Sequence, residues 1–199
     1  MGDEARTAGV SRETGETRVE VRLDLDGVGA VEVSTGIGFF DHMLHALAFH
    51  AGWSLELKCE GDLEVDDHHT VEDTGLALGQ TVARALGERR AGIVRFGHAY
   101  APLDEALARA VVDVSGRPFF AGDLDLRRER VGALSCEMVP HFFHSFAQTA
   151  GLTLHVNVIH GANDHHRIEA SFKALALALR DALALREGGK GVPSTKGVL

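Results

Sequence analysis

Side chains of the types that bind metal ions occur twice along this 199-residue chain, in the same order each time. The first copy contains His42, His68, His69 and Glu72, and the second contains His141, His165, His166 and Glu169. The single histidine precedes the adjacent pair by 26 residues in the first copy and by 24 in the second. Packing alone would repeat apolar positions, so repeated imidazoles and carboxylates indicate a duplicated metal protein.

Helix geometry predicts how each adjacent histidine pair divides between two ions. Residues four apart share one face of a helix, whereas neighbours diverge by roughly 100 degrees. His68 and Glu72 can therefore bind one ion while His69 faces another, and the second copy repeats this division. We expect two ions related by pseudo-twofold symmetry. Each would take a His-x-x-x-Glu pair from one copy, the second histidine of the pair in the other copy, and one single histidine.

Three imidazoles and one carboxylate leave positions open for substrate or water, as a catalytic metal site requires. Mixed nitrogen and oxygen ligation suits Zn, Fe, Ni or Mn, and two open positions favour octahedral Mn or Fe. A dinuclear hydrolase would use the same ligand types, although such sites rely more on bridging carboxylates than this one does. A non-catalytic metal-storage or structural protein is the other alternative, and it would not need cations for a phosphate.

The composition limits the class of protein. A net charge of −9 without a basic run argues against a nucleic-acid partner. No segment has the apolar length of a membrane span, and the N-terminus lacks the pattern of a signal peptide, so we expect a cytoplasmic protein. Cys59 and Cys136 lie outside any C-x-x-C motif and are expected to be reduced and buried.

The elements that position these side chains follow from apolar periodicity. Alternation over 17–25 and 31–33 around Asp26-Gly27 predicts a β-hairpin. A helix over 39–51 should end at Gly52, a strand should cover 54–59, and Asp67 should cap the next helix. The second half predicts strands near 94–100 and 106–114, a helix near 135–150, a strand over 152–159 and a helix from about residue 164.

Each half thus has the order β-β-α-β-α, which predicts an α+β fold with each sheet covered by helices on one face. The halves span about 10–90 and 91–190, with a short linker at 88–92. The last helix, over 170–185, is apolar nearly all round and needs cover on more than one side. That cover is either a subunit interface or the interior of one chain.

Several sequence blocks resemble the imidazoleglycerol-phosphate dehydratase family of histidine biosynthesis. They cover 36–44, 67–73, 95–97, 101–106, 115–118, 141–143, 164–169 and 193–197. The resemblance extends over 16–199 and implies one domain over 1–199 with a substrate-binding tail at 191–199. It implies a tandem duplication of the ribosomal protein S5 domain 2-like kind, with a mixed sheet and two helices in each half. It also implies a homo-oligomer, an octahedral 24-mer with active sites at subunit interfaces.

The resemblance further implies two Mn²⁺ ions per active site and the dehydration of D-erythro-imidazole glycerol phosphate to imidazole acetol phosphate through a dimanganese-stabilised imidazolate. One ion would bind His42, His69, His165 and Glu169, and the other His68, Glu72, His141 and His166. Catalytic roles fall on Glu16, His69 and Glu169. Phosphate contacts fall on Arg95, Arg117, Lys173, Ser194, Thr195 and Lys196. Substrate contacts would also come from Glu16, His42, His68, His69, Glu72 and His165. His50 is a further candidate for substrate contact, because it lies near the end of the helix that carries His42.

Overall fold

The computed structural model describes residues 5–186 and 193–194, except for the side chain at position 89. The first half contains β1 (Thr7–Glu13), β2 (Thr17–Asp24), β3 (Val31–Ser34), α1 (Gly38–Ala51), β4 (Ser54–Gly61) and α2 (His68–Leu86). A 3₁₀ helix, Gly87–Gly92, leads to the second half. That half contains β5 (Phe96–Leu103), β6 (Ala106–Asp113), β7 (Phe119–Asp123), β8 (Arg130–Val131), β9 (Leu134–Ser135), α3 (Met138–Ala150), β10 (Thr153–His160) and α4 (Asp164–Leu183).

The two halves have the same sheet topology. The strand order is β1-β2-β4-β3 in the first sheet and β5-β6-β10-β7 in the second, and each sheet has one parallel pair. The α+β class and the two similar halves are therefore confirmed. In each four-stranded sheet, three strands precede the first helix of that half, one more than the sequence predicted, and the second half also has the separate pair β8-β9 before α3. In the first half the additional strand is β1, which precedes the segment recognised as alternating.

The predicted hairpin between β2 and β3 is wrong. β2 pairs with β1 and β4, while β3 pairs in parallel with β4. A parallel pair needs a crossover, and α1 supplies it between β3 and β4. Gly27 is required for a different reason than a tight hairpin turn. A Cβ atom at this position would lie 2.7 Å from the Ser54 backbone nitrogen, so the two backbone segments pass too close for any side chain.

The helices of both halves lie between the two sheets. α1 and α2 pack on the first sheet, α3 and α4 on the second, and the layers meet as the pairs α2/α3 and α1/α4. In β2, Val19, Val21 and Leu23 point into this core and are at most 3 % exposed. The opposite face of the first sheet carries exposed ion pairs such as Arg18 with Glu20. The helix layers are therefore the common core of both halves.

Helices α2 and α3 run parallel and in close contact. Gly75 lies against Phe142 and Ser145, and Gly79 lies against Phe146 and Ala150, so contacts advance in the same direction along both helices. A Cβ at Gly79 would be 2.4 Å from the Phe146 carbonyl oxygen. Glycine thus allows the two backbones to approach at this point.

The apolar helix α4 is covered inside one chain. Ala174, Leu175, Ala178 and Leu179 are fully buried, and the helix packs against α1 on one side and the second sheet on the other. This decides between the two kinds of cover in favour of the chain interior. None of the helices in the described part of the chain is long and apolar enough to cross a bilayer. The predicted cap at Gly52 is confirmed by its left-handed φ of 76°.

Candidate metal centre

Two groups of three metal-ligand side chains lie where helices of the two halves meet. The α1/α4 group consists of His42, His165 and Glu169, and the α2/α3 group of His68, Glu72 and His141. Within each group, one ligand atom from every residue lies within 4.8 Å of the others. Each group therefore combines a His-x-x-x-Glu pair of one half with the single histidine of the other.

The α1/α4 group gathers around one carboxylate oxygen. Glu169 Oε2 is 3.3 Å from His42 Nε2 and 3.2 Å from His165 Nε2. Its other oxygen, Oε1, is 2.7 Å from Lys173 Nζ. Burial alone would raise the pKa of Glu169, but the hydrogen bond and charge of Lys173 outweigh burial and lower it. Glu169 thus presents an ionised carboxylate to two imidazole nitrogens.

The α2/α3 group has matching geometry. Glu72 lies 3.6 Å from His68 Nε2 and 3.5 Å from His141 Nε2 through its two oxygens. His141 Nε2 is buried and has no hydrogen-bond partner among the described residues. A buried polar atom without a partner is costly, and a cation held by His68, Glu72 and His141 would satisfy it. The donor set therefore fits a metal ion.

The aspartates preceding the histidine pairs anchor a neighbouring segment. Asp67 stands at the N-cap position of α2 but makes no capping bond, so the prediction that it caps this helix is wrong. Its oxygens accept from the Ser135 backbone N–H at 2.5 Å and from the Ser135 hydroxyl at 2.9 Å. Asp164 likewise accepts from the backbone N–H groups of Arg127 and Arg128. The segment between β7 and α3 is thereby fixed to the starts of α2 and α4, the helices that carry the His-x-x-x-Glu pairs.

The second histidines of the pairs, His69 and His166, belong to neither group. His69 Nδ1 is 3.0 Å from Asp62 Oδ2, and its Nε2 is 3.6 Å from Glu16 Oε1. The hydrogen bond that His69 donates to the Asp62 carboxylate raises the pKa of His69 above its ordinary value. His166 Nδ1 is 2.7 Å from Glu105 Oε2, which raises its pKa in the same way. Within one chain these imidazoles thus face away from the ligands with which they were predicted to share an ion.

Sequence reasoning did not identify Asp62 or Glu105. Asp62 follows β4 in a polar loop, and Glu105 lies 61 residues before His166 in the turn between β5 and β6. Apolar periodicity carries no information on such contacts. The duplication offered one signal for Glu105, because Glu16 occupies the turn between β1 and β2, which is equivalent to the turn between β5 and β6.

Two of the predicted phosphate-binding cations, Arg95 and Arg117, lie away from the α1/α4 ligand group of the same chain, whereas Lys173 contacts Glu169 within it. Arg95 pairs with Asp113 at 2.7 Å, and its Nη1 donates to the Pro193 carbonyl oxygen at 2.7 Å. Arg117 is 67 % exposed and lies 3.9 Å from the same aspartate. The Arg95 N–H donates to the Ala182 carbonyl oxygen, 13 residues beyond Glu169 on α4. At 1.5 Å per residue this separates Arg95 from that ligand group by about 20 Å.

The other predicted site residues lie in the C-terminal tail, on α1 and in the turn between β1 and β2. Ser194 is among the described residues, whereas Thr195 and Lys196 lie outside them, as does most of the tail at 191–199. His50 is half-buried near the end of α1, and its pKa is lowered by burial and by the charge of Lys173. Glu16 is 54 % exposed in the turn between β1 and β2. Both cysteines are free and buried, as expected.

Comparison with known proteins identifies relatives over nearly the whole chain. A protein from Phaffia rhodozyma named imidazoleglycerol-phosphate dehydratase is 59 % identical, covering 98 % of this chain and 96 % of its own. The Schizosaccharomyces pombe protein of the same name is 53 % identical, covering 98 % of this chain and 100 % of its own.

Solved structures of the same kind match the fold. The Staphylococcus aureus imidazoleglycerol-phosphate dehydratase has a TM-score of 0.79 at 38 % identity, covering 90 % of this chain and 99 % of its own. The Pyrococcus furiosus IGPD, solved in complex with (S)-C348, has a TM-score of 0.83 at 34 % identity, covering 96 % of this chain and 100 % of its own. The sequence model of imidazoleglycerol-phosphate dehydratase matches residues 35–179, and this chain belongs to that family.

Proposed function

We propose that this protein dehydrates D-erythro-imidazole glycerol phosphate to imidazole acetol phosphate in L-histidine biosynthesis. The observation that carries the proposal is the pair of three-ligand groups, each built from helices of both halves. Two such groups match a substrate whose imidazole ring offers two nitrogen donors. Family membership supports the same reaction.

The ligand sets we propose add one second histidine to each three-ligand group. One ion would bind His42, His165, Glu169 and His69, and the other His68, Glu72, His141 and His166. When bound, two Mn²⁺ ions would supply Lewis acidity to both nitrogens of the substrate imidazole and favour its imidazolate form. Because His69 and His166 face away from the groups of their own chain, the fourth ligand of each site would come from another copy.

The phosphate-binding residues support the same composite site. The three-carbon chain of the substrate is too short to bridge the about 20 Å between Arg95 and the α1/α4 group. A site that holds both ends of the substrate therefore needs two or more copies. This is consistent with a homo-oligomer, an octahedral 24-mer in our proposal, with active sites at subunit interfaces. Light scattering of the manganese-loaded protein gives its mass and tests this assembly directly.

In our proposal several cations of the chain bind the phosphate group of the substrate. Among the described residues, Arg95 uses three of its five N–H groups, and the other two are available in our proposal for a phosphate oxygen. Arg117 is free to turn towards the same anion. Ser194, Thr195 and Lys196 of the tail and Lys173 complete the proposed phosphate contacts. Neutral His50 would contact substrate from α1.

The reaction removes a hydroxyl from the carbon next to the ring and a proton from the neighbouring carbon. Glu16 is the general base in our proposal, because it is exposed and lies 3.6 Å from Nε2 of His69. The hydroxyl leaves as water after taking up a proton, and the resulting enol rearranges to the ketone. His69 and Glu169 would hold the substrate imidazole so that the carbon to be deprotonated lies next to Glu16.

The deciding experiment incubates the manganese-loaded protein with imidazole glycerol phosphate and measures the ketone product. Glu16→Gln tests the base, and Glu13→Gln in the adjacent strand is a matched control that we expect to retain activity. Formation of ketone without release of inorganic phosphate supports the dehydratase. Release of phosphate would instead identify a hydrolase, and absence of any product would refute the proposed reaction.

A further inference from the structure

Glu105 makes an unusually complete set of contacts for a residue in a hairpin turn. Its Oε1 accepts from the backbone N–H groups of Ala162 at 3.0 Å and Asn163 at 2.9 Å. Its Oε2 lies 2.7 Å from Nδ1 of His166. Asn163 in turn caps α4 by accepting from the His165 N–H. One carboxylate therefore joins the turn between β5 and β6 to the start of the helix that bears the ligands.

These contacts fix the direction of the hydrogen bond between the two side chains. Oε1 of Glu105 accepts from two backbone N–H groups, and its Oε2 stands 2.7 Å from Nδ1 of His166 as an acceptor. An ionised carboxylate only accepts hydrogen bonds, so the proton of a neutral His166 imidazole must lie on Nδ1. Its Nε2 then keeps a free lone pair, which is the form of histidine that binds metal ions.

We propose that Glu105 is a positioning residue that holds His166 as the Nδ1–H tautomer, with Nε2 directed outward to complete a metal site on an adjoining copy of the chain. The inference rests on the proposed function, which requires His166 to be a ligand. Asp62 has the corresponding contact with Nδ1 of His69. In the two three-ligand groups, by contrast, the carboxylates meet the Nε2 atoms, where an ion would lie.

The duplication strengthens the assignment. Glu16 and Glu105 occupy equivalent turns, and each lies beside the second histidine of its own half. Glu16 approaches Nε2 of His69 and makes no bond as short as that of Glu105, whereas Glu105 is bound at Nδ1 of His166. Among the described residues, the same position in the fold therefore carries a carboxylate with a 3.6 Å ion pair in one half and a hydrogen-bonded support in the other.

The test is a manganese titration of the full-length protein, followed by electron paramagnetic resonance. Glu105→Ala should weaken one of the two manganese equivalents about 10–100-fold and leave the other unchanged. Glu105→Gln should lie between Glu105→Ala and wild type, because its amide has a single acceptor oxygen for three donors. Asp104→Asn is the matched control, since Asp104 is 75 % exposed and 3.9 Å from Nε2 of His166. Its affinities should equal those of wild type.

A double-mutant cycle separates positioning from a merely structural role. If Glu105 acts through His166, adding Glu105→Ala to His166→Ala should cause no further loss of manganese affinity. Additive losses would overturn the inference, as would unchanged binding in Glu105→Ala. Glu105→Gln gives the same comparison if the alanine variant does not fold. Failure of wild type to bind manganese would instead count against the proposed function, so the two failures are distinguishable.

Discussion

Substituting Gly79 by alanine should disable one ligand group and spare the other. The added Cβ would lie 2.4 Å from the Phe146 carbonyl oxygen and 3.0 Å from the Ala150 nitrogen. Both are backbone atoms, so α3 must move away from α2. Restoring even a 3.0 Å contact requires a shift of at least 0.6 Å. Metal–ligand distances tolerate about 0.2 Å, so a shift of this size separates His141 from the ligands on α2.

The effect on stability should be smaller than the effect on metal binding. Alanine gains about 1 kcal/mol of helix propensity over glycine, while overpacking costs about 1–3 kcal/mol. The free energy of unfolding should therefore fall by about 0–2 kcal/mol, and the protein should remain folded. The α1/α4 group does not include either of the displaced helices. Manganese titration should then detect one equivalent at wild-type affinity and one that is much weaker.

Variants on the same background identify which ion is lost. In Gly79→Ala, the remaining manganese should be abolished by His42→Ala and unaffected by His141→Ala. Gly38→Ala is the control, because nothing lies within 4 Å of a Cβ at that helical position. Retention of both ions in Gly79→Ala, or loss of the ion that depends on His42, would refute this account of how helix spacing determines the site.

Three further outcomes follow from the structure. Glu16→Gln should keep both manganese equivalents and substrate affinity while losing turnover, and turnover that persists would remove Glu16 from the mechanism. Arg167→Ala leaves the buried carboxylate of Asp164 without its charged partner and should lower the free energy of unfolding by about 3–5 kcal/mol. Arg127→Ala removes only an exposed ion pair and should lower the free energy of unfolding by about 0–1 kcal/mol. Equal losses for the two variants in denaturant titration would contradict the greater contribution expected of the buried pair. Burial raises the pKa of the Cys59 thiol, which lowers the thiolate fraction at pH 8. The Cys59 thiol should therefore react with a disulfide reagent far more slowly in the native than in the unfolded protein.

Local periodicity was sufficient for the helices that carry the ligands. Spacing alone separates His68, which faces Glu72, from His69, which faces Asp62, because adjacent helical residues diverge. The same reasoning could not find β1 or the pairing of β3 with β4. Both depend on contacts between distant segments, and a turn signal such as Asp26-Gly27 does not specify which strands pair.

Side-chain contacts across the fold were equally beyond the sequence. Asp67 has the residue type and position of an N-cap, yet its carboxylate is taken by Ser135, 68 residues away. The local capping rule predicts that Asp67 accepts from backbone N–H groups of α2. In the folded chain the backbone N–H and the hydroxyl of Ser135 donate to its carboxylate instead. The place of Glu105 likewise depends on how the turn between β5 and β6 meets the start of α4.

Each ligand group takes its single histidine from one half and its His-x-x-x-Glu pair from the other. A cut in the 3₁₀ helix Gly87–Gly92 would therefore divide both groups at once. Two separate fragments would have to associate before either group existed, and their metal affinity would depend on protein concentration. The covalent link replaces that association with a fixed effective concentration, so the assembly of the three-ligand groups is independent of dilution until the chain itself unfolds.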